Sequence, residues 1–567
     1  MNLNYKYNYV KELLRRYGLG GLIMKTAERA SSPMLSYTQR FQEFLPEESE
    51  LDRQRQHEFK FQPQISIVMP TYETPKVFLA ELWQSIKAQT YTKWELCIAD
   101  GSSSNQVESF FKEEMQTDSR IHYQKLSSNE GISGNTNAGL AMCSGEYIAM
   151  TDHDDVLSPN ALFEMVRCLN EKYWPDERSC AMIYSDEDKI SQDSKVHSRP
   201  HFKPDFNLEF LRRNNYICHF LMYSKELLQE VKGLRKEFDG AQDYDFVLRC
   251  VEAGAIIRHI PKILYHWRIH EGSTAGNSAD KAYAFDNGCR AIEEHLLRCQ
   301  TPGEAKVTTN LGVYQVRYFL RKKEYHIAVL AKEQKQIDAL KQNYRDSFKI
   351  TEDGREATLF FYYYLEHSPR AEDVSADYFL FLEKGIRVDS SFRVEVLLRI
   401  MEQDKVGIVV PRLHTKAKRT ASCGMLYSRH AGLTHSLAGL PLGYKGYFLH
   451  NVIPKEISAA VLDCALVRKE CYGDGKEYRI PFYKSAALCF YAQSLGYKVV
   501  VTPELSVRSD SPELTEHETL RKLAEGLRGE DPETLRFYEA WKEVFSESDP
   551  CYNKNLSLRP YHTYEMK

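Results

Sequence analysis

The sequence predicts an α/β protein with a doubly wound, mostly parallel sheet, and three features of the chain indicate this fold. Between residues 63 and 170, short apolar runs alternate with segments whose apolar residues recur at helical spacing. Polar loops follow these apolar runs, where strands are expected to end. Similar runs occur again in the second half of the chain. Repeated β-α units form parallel sheets with right-handed crossovers, and ligands bind at the carboxyl ends of their strands.

The individual elements follow one another in the order that such a sheet requires. Strands are predicted at Ile65–Met69, Trp94–Ala99, Ile121–Leu126, Tyr147–Met150, Cys180–Tyr184 and Ile263–Trp267. Helices are predicted at Phe78–Ile86, Val107–Met115, Asn135–Met142, Asn160–Leu169, Phe246–Ala253 and Ala282–Arg298. The strand Tyr147–Met150 leads directly into Asp152, Asp154 and Asp155. Carboxylates two residues apart at a strand end can hold a divalent cation together with phosphate oxygens, whereas an isolated acidic turn is simply solvated.

The composition restricts the partners and the compartment. The 567 residues carry a net charge of −4 from nearly balanced acids and bases, which predicts no nucleic-acid partner. The 13 cysteines include no Cys-x-x-Cys pair, which predicts reduced thiols in a cytoplasmic protein. No apolar run approaches the roughly 18 residues of a membrane span. Tyr5–Arg29 is basic and partly apolar, so it is predicted either to contact the inner face of the cytoplasmic membrane or to pack on the main domain as a helical hairpin.

Six short polar motifs follow the predicted strands in a fixed order. They are Pro70-Thr71-Tyr72, Asp100-Gly101-Ser102, Gly131-Ile-Ser-Gly134 with Asn137, Asp152-His-Asp-Asp155, Gln242-Asp243-Tyr-Asp245 and Arg268-x-His270. As an ordered set over about residues 60–300, they resemble the motifs of the family 2 glycosyltransferases with the GT-A fold. Within that family the chain resembles the bacterial two-module transferases of surface-polysaccharide assembly.

The resemblance implies which residues bind the nucleotide part of a nucleotide-sugar donor. Thr71, Tyr72, Glu73 and Asp100 match nucleoside contacts of the family, with Asp100 accepting a pyrimidine N–H. The residues assigned to the donor nucleotide are Pro70, Thr71, Tyr72, Glu73, Asp100, Gly131, Asn137, Asp152, His153 and Arg268. For Arg268, a phosphate contact and an ion pair with a neighbouring acid both remain open. Thr136 stands where the family commonly has an arginine, so a diphosphate contact there is in doubt.

The resemblance also implies a metal site and a catalytic base. Asp154, Asp152 and His270 match the ligands of a divalent metal, Mn²⁺ or Mg²⁺, which would neutralise the leaving diphosphate. Asp243 matches the base that removes a proton from the acceptor hydroxyl, and its alternative role is that of a helix N-cap.

A third group of residues is assigned to the donor sugar or the acceptor. These residues are Asp186, Glu187, Asp188, Gln242 and Trp267. For the three acids the alternative is a surface turn, and Gln242 stands where the family often has glutamate. His201 and His219 are interpreted as structural.

The second half of the chain is predicted to repeat the first without its acids. Asp377–Val388 aligns with Glu146–Leu157, so that Glu383, Lys384 and Gly385 stand opposite Asp152, His153 and Asp154. An ungapped match of Gly254 and Pro261 with Gly496 and Pro503 places Ser485 opposite Asp243, Ala487 opposite Asp245 and Ser509 opposite Trp267. This predicts a catalytically silent copy, with a chance match of apolar patterns as the alternative.

Together these observations predict four regions and one activity. The regions are a helical arm or linker at 1–60, a catalytic GT-A domain at 61–302, a degenerate GT-A-like domain at 303–548 and a tail at 549–567. The expected activity is an inverting transfer of sugar from a UDP- or dTDP-linked donor to a growing, lipid-linked oligosaccharide or polysaccharide of the O-antigen, capsule or rhamnan type. Two alternatives are a sugar nucleotidyltransferase and a non-catalytic glycan-binding or scaffold protein. The first lacks support because Pro70-Thr71-Tyr72 replaces a Gly-rich basic loop.

Overall fold

The computed structural model describes residues 33–171, 174, 178–270, 282–366, 369–428, 432–473, 478, 480–510, 532–558 and 564–567. The segment Tyr5–Arg29, for which a membrane contact or a hairpin was expected, lies outside these residues. The domain boundaries expected near residues 60, 302 and 548 remain predictions. No helix within the described part of the chain is long and apolar enough to cross a membrane.

The first half of the chain forms a nine-stranded sheet. Its strands are β1 Ile65–Thr71, β2 Trp94–Asp100, β3 Ile121–Lys125, β4 Tyr147–Met150, β5 Val156–Leu157, β6 Ala181–Ser191, β7 His197–His201, β8 Leu221–Ser224 and β9 Ile256–Ile269. The helices before and between these strands are α1 Pro33–Arg40, α2 Glu48–Gln56, α3 Lys76–Lys87, α4 Gln106–Phe111, α5 Glu114–Thr117, α6 Gly131–Ala141, α7 Ala161–Leu169, α8 Leu208–Leu211, α9 Lys225–Val231, α10 Gln242–Glu252 and α11 Ala282–Arg298.

The strand order β3-β2-β1-β4-β8-β6-β9-β5 confirms the predicted α/β class. Strands β3, β2, β1 and β4 are parallel, and so are β6 and β9. Strand β8 lies between these two parallel groups and is antiparallel to both β4 and β6. The parallel arrangement aligns the carboxyl ends of β1, β2 and β4, which brings their polar loops to one edge.

Strand β6 differs from its prediction. Its apolar part was expected to end at Tyr184 in a turn of acids, yet β6 continues to Ser191 and pairs with β9 along its whole length. Asp186, Glu187 and Asp188 are therefore buried strand residues and not a surface turn.

The second half of the chain forms a ten-stranded sheet and two separate two-stranded sheets, one of which precedes it. The strands are β10 Gly303–Val307, β11 Tyr314–Tyr318, β12 Glu324–Ala331, β13 Ser347–Glu352, β14 Arg355–Leu365, β15 Tyr378–Leu382, β16 Ile386–Arg387, β17 Val406–His414, β18 Thr420–Ser422, β19 Met425–Ser428, β20 Gly432–His435, β21 Lys455–Ile457, β22 Cys464–Arg468 and β23 Lys498–Ser509. The helices are α12 Gln334–Tyr344, α13 Val394–Met401, α14 Pro481–Ser494, α15 Pro532–Ala540 and α16 Lys542–Ser546.

The second sheet repeats the strand order of the first. Its order is β13-β14-β12-β15-β22-β17-β23-β16, and β22 is antiparallel to both β15 and β17, as β8 is to β4 and β6. The sequence alignment pairs Val156 with Arg387 and His266 with Arg508. In the structure Val156 pairs with His266, and Arg387 pairs with Arg508. The two segments were aligned separately, yet the aligned residues pair with each other at equivalent positions in the two sheets. This agreement excludes a chance match of sequence patterns. One difference is that β13 and β14 form an antiparallel hairpin, whereas β2 and β3 are parallel.

The two sheets share part of their hydrophobic core. One cluster, which includes Ile67, Trp83 and Leu162, lies within the first sheet and its helices. The other extends from residues of the first sheet such as Val68 into the second sheet around Val329 and Leu466. The second module is therefore packed against the first through buried apolar side chains.

Candidate active site

Three carboxylates converge at the carboxyl end of β4. One oxygen each of Asp152, Asp154 and Asp155 lies within 4.8 Å of the others. Asp154 Oδ2 lies 2.7 Å from His270 Nε2, and Asp152 Oδ2 lies 3.5 Å from His219 Nε2. The side chain of Asp152 is 41% exposed, so this end of the cluster is open to a ligand.

Asp155 and Arg268 form the buried base of this cluster. Asp155 accepts hydrogen bonds from the Tyr265 hydroxyl at 2.6 Å and from the backbone N–H of Arg268 at 2.7 Å. Burial, together with repulsion from Asp154 and Asp152, raises the pKa of Asp155 well above its usual value. The fully buried Arg268 side chain donates to the Asp154 carbonyl, Ser194 and Glu81. Arg268 forms an ion pair with Glu81 at 2.6 Å, and its contact with a phosphate stays a prediction.

Asp243 lies near the start of α10 and is not its N-cap. Ala241 occupies the N-cap position, and no side chain caps this helix. Asp243 Oδ2 accepts a hydrogen bond from Asn215 Nδ2 at 2.8 Å and lies 3.9 Å from Cys218 Sγ. Burial raises the pKa of Asp243, and the negative charge of Asp152 adds to this, while His219 and Asn215 act in the opposite direction. Asp245, the expected electrostatic neighbour, is paired with Arg235 and Arg249.

His219 contacts the carboxylate cluster and acts electrostatically on Asp243. Its ring contacts Asp152 and stacks on Tyr265 with ring centroids 4.7 Å apart. It is also the charge that most strongly lowers the pKa of Asp243. The sequence interpretation left His219 as structural because nothing in its local motif indicates chemistry. Asn215 and Cys218, which reach Asp243 from the same loop, were missed for the same reason.

Asp100 lies at the end of β2 and is fully buried. Its oxygens accept hydrogen bonds from Thr71, the Ser102 N–H, Tyr123 and Lys125 at 2.7–3.2 Å. Burial alone would raise the pKa of Asp100, but the hydrogen bonds from Ser102, Tyr123 and Lys125 outweigh it and lower the pKa. A base N–H that reached Asp100 would therefore have to displace one of these donors.

Glu73 joins the loop after β1 to the loop after β2. Its carboxylate accepts hydrogen bonds from the N–H of Ser103 and from both the N–H and hydroxyl of Ser104. These contacts lower the pKa of Glu73. Pro70 is buried within β1, whereas Tyr72 is 48% exposed at the same edge. The ring of Tyr72 is thus available to a ligand.

Gly131 and Asn137 hold α6 against the segment before α10. Gly131 has φ +81°, and a Cβ there would lie 2.6 Å from Asp239 Oδ2. Asn137 Nδ2 donates to the Leu234 carbonyl, and its Oδ1 accepts from the Leu234 N–H. The polar atoms of Asn137 are therefore used within the protein.

The three acids of β6 point to opposite faces of the sheet. Asp188 accepts hydrogen bonds from Tyr37, His197 and His266, which lower its pKa to about 2 despite burial. Asp186 accepts from His259, the Lys203 N–H and Asn553. Both acids thus anchor surrounding segments. Glu187 lies on the other face, where Lys189 and Lys203 bind it at 2.9 and 3.2 Å.

The remaining assigned residues lie at or near the same crevice. Trp267 is half-buried, and Lys189 Nζ lies 3.4 Å from the centre of its ring. Gln242 accepts a hydrogen bond from the Gly240 N–H. His153 Nδ1 and Asn215 Oδ1 are buried, and each lacks a hydrogen-bond partner among the described residues. Buried polar atoms are normally satisfied, so these two atoms suit a polar ligand.

Parts of the chain are similar to known proteins. Residues 66–232 match the model of glycosyl transferase family 2. An O-antigen biosynthesis protein of Myxococcus xanthus is 28% identical over 531 residues, which are 88% of this chain and 40% of that protein. A GalNAc(5)-diNAcBac-PP-undecaprenol beta-1,3-glucosyltransferase of Campylobacter jejuni is 29% identical over 189 residues, which are 31% of this chain and 57% of that protein. The structure of S. aureus TarS 1-349 in complex with UDP has 18% identity and a TM-score of 0.33, over 41% of this chain and 65% of that one.

The chain spans about half the length of the curated relatives that it matches. The match of residues 66–232 to glycosyl transferase family 2 is the resemblance that the motifs predicted. The α/β architecture of the first sheet, with its polar loops at the carboxyl ends of parallel strands, is the one that the motifs predicted.

Proposed function

We propose that the first module transfers a sugar from a nucleotide-diphosphate donor to a growing cell-surface glycan, with inversion at the anomeric carbon. The observation that carries this proposal is the convergence of Asp152, Asp154 and Asp155 at the end of β4, with the separate carboxylate of Asp243 near enough for the charges of Asp152 and His219 to act on its pKa. A cluster of acids next to a separate carboxylate of raised pKa is what metal-assisted transfer with a general base requires.

The donor occupies the edge formed by the loops after β1, β2 and β4. The exposed ring of Tyr72 suits the nucleoside base, and Thr71, Glu73 and Asp100 fix the surrounding loops. UDP and dTDP are the proposed nucleotides because Asp100 matches a pyrimidine contact of the family.

The acidic cluster suits a divalent cation, Mn²⁺ or Mg²⁺. The mutual repulsion that raises the pKa of Asp155 would be relieved by a cation, and hard divalent cations prefer carboxylate oxygens. Asp152 and Asp154 would hold it, with His270 as a further ligand, because both oxygens of Asp155 already accept hydrogen bonds. When bound, the cation would supply positive charge to neutralise the leaving diphosphate.

Asp243 is the proposed general base. Its carboxylate takes the proton of the acceptor hydroxyl while that oxygen bonds to the anomeric carbon and the bond to the diphosphate breaks. The raised pKa of Asp243 strengthens it as a proton acceptor at neutral pH, since the efficiency of a base rises with its pKa as long as it remains ionised. Asn215 orients this carboxylate through its hydrogen bond.

The proposed acceptor is a lipid-linked oligosaccharide or polysaccharide of the O-antigen, capsule or rhamnan type. Support comes from the similarity, over most of this chain, to a protein of O-antigen biosynthesis. The similarity of a shorter segment to a glucosyltransferase whose substrate name includes undecaprenol supports a lipid-linked acceptor.

A thermal-shift panel tests the donor site. UDP, dTDP, GDP and CMP sugars are added with and without manganese to the wild type, to Asp154→Ala and to the matched second-module variant Glu383→Ala. A manganese-dependent rise in melting temperature for a UDP or dTDP sugar, lost only in Asp154→Ala, is expected. No shift with any nucleotide would favour a non-catalytic glycan-binding or scaffold protein instead.

A further inference from the structure

A loop of the second module lies directly on β7 of the first module and the residues next to it. The Tyr447 hydroxyl accepts a hydrogen bond from the Phe202 N–H at 2.8 Å and donates to the Pro200 carbonyl at 2.6 Å. The next residue, Phe448, stacks on His201 with ring centroids 3.7 Å apart and an angle of 8° between the rings. His201 is buried beneath Phe448, whereas Phe448 itself is partly exposed.

The backbone of this loop is strained. Phe448 has φ +41° and Leu449 has φ +68°, a left-handed conformation that bulky side chains rarely adopt. Residues held in such conformations tend to occur where a particular side-chain position matters for function. The strain therefore provides a second observation, independent of the stacking, that singles out the position of Phe448.

A row of buried side chains connects His201, on which Phe448 stacks, with the acidic cluster. Glu187 pairs in register with Tyr265 on β9 and with His201 on β7, so the three side chains lie on one face of the sheet. The Tyr265 hydroxyl binds Asp155 and the Asp152 N–H. Because neighbouring strands lie about 4.8 Å apart, His201 is about 10 Å from Tyr265 along this row. This separation is on the order of a disaccharide.

The chemistry of this row suits a sugar ring. Trp267 and Phe448 are partly exposed aromatic rings, and the charged groups nearby are the buried Glu187 and the two lysines that bind it, Lys189 and Lys203. A pyranose has apolar C–H faces that pack on aromatic rings and hydroxyl edges that need hydrogen-bond partners. Binding sites that combine a few aromatic surfaces with placed polar groups are typical of such ligands.

We propose that Phe448, supported by His201 and together with Trp267, binds a pyranose unit of the acceptor glycan, so that the second module completes the acceptor site of the first. This inference rests on the proposed function, because it assigns the acceptor side of the same crevice. The second module is thereby a positioning element: it contacts the acceptor without touching the reacting atoms.

A glycan array tests this site without any donor. The full chain is compared with Phe448→Ala, Phe448→Trp and Tyr491→Ala on an array of defined bacterial oligosaccharides, and bound glycans are then titrated. Tyr491 is the matched control because it is an exposed aromatic residue on α14, outside the row. The expected result is a dissociation constant about tenfold higher for Phe448→Ala, with the affinity retained in Phe448→Trp and Tyr491→Ala.

Equal affinity of the wild type and Phe448→Ala, or no glycan bound by the wild type, would overturn the inference. The manganese-dependent thermal shift with nucleotide sugars is measured on the same four proteins. It is expected in all of them, which verifies that each variant is folded and keeps its donor site. Its absence from all four would overturn the proposed function, while the glycan titrations would still decide the role of Phe448.

Discussion

The two modules share one strand order but carry different side chains at the strand ends. In the first, β4 leads into Asp152, Asp154 and Asp155, whose oxygens converge. In the second, β15 leads into Glu383, Lys384 and Gly385 at the aligned positions. Gly254 and Gly496, with φ +79° and +82°, keep the same turn after the helix in both modules. The difference shows that apolar strands and turn glycines preserve a fold, while its chemistry depends on a few loop residues.

The same contrast holds along the two long parallel strand pairs. The register of β6 on β9 and of β17 on β23 places Arg412, Leu413 and His414 at the positions of Asp186, Glu187 and Asp188. Arg412 donates to Ser506 and to the carbonyls of Leu442 and Asn451. At the positions of the three acids of β6, the second module thus has residues of different charge. It still forms the same sheet.

The largest effect is expected at Asp243 in α10, which aligns with Ser485 in α14, the corresponding helix of the second module. Asp243→Asn should lower the rate of sugar transfer about 10²- to 10⁴-fold, because the amide cannot accept the proton, and donor binding should persist. The matched change Ser485→Ala in α14 should leave the rate unaltered. Transfer and donor binding are measured on the same preparations, and equal loss of donor binding in Asp243→Asn and Asp154→Ala would contradict the division of roles.

A smaller effect is expected from substitutions of the acids of β6, whose side chains lie on opposite faces of the sheet. Glu187→Gln should lower transfer about ten- to hundredfold, because Lys189 and the fully buried Lys203 lose their charged partner on the face that also carries Tyr265. Asp186→Asn should instead lower the melting temperature with little change in kcat/KM, since Asp186 binds His259 and Asn553 away from the crevice. The reverse pattern would show that the faces are assigned wrongly.

The pH profile offers a further test of Asp243. Because its pKa is raised and the base must be ionised, transfer should fall as the pH drops through a value above the ordinary range of aspartate. Asn215→Ala removes a hydrogen bond that favours the carboxylate, so the acid limb should move to higher pH. Ser485→Ala should leave the limb in place. An unchanged limb in Asn215→Ala would argue that another group titrates.

The smallest effect concerns the contact between the modules. Tyr447→Phe removes the hydroxyl that binds Phe202 and Pro200, which should cost about 1–3 kcal/mol because two buried backbone groups lose their partner. Tyr491→Phe, at an exposed site, is the control. Melting temperatures of the two variants, measured side by side, check this expectation, and identical values would contradict it.

Much of this architecture could be predicted from residues that are close in sequence. The strands β1, β2 and β4 and the acids that follow β4 carry local apolar patterns and motifs, and the repeat was visible in Gly254 and Gly496. The extent of β6 could not be predicted, because polar residues in a buried strand are stabilised only by distant partners. For Asp188 these include Tyr37, 151 positions away, and for Asp186 they include Asn553, 367 positions away.

The residues around Asp243 could not be predicted from the sequence for the same physical reason. Asn215, Cys218 and His219 approach it from a loop that has no motif of its own, and only the fold brings them within reach. The contact of Phe448 with His201 likewise joins positions on different modules. The roles assigned to the crevice residues stay predictions until they are tested by substitution.

The stoichiometry of donor binding tests the contrast between the modules most directly. Isothermal titration of the full chain with a UDP or dTDP sugar and manganese should give one nucleotide per chain, lost in Asp154→Ala and retained in Glu383→Ala. Two nucleotides per chain, or loss of binding in Glu383→Ala with binding retained in Asp154→Ala, would contradict the account.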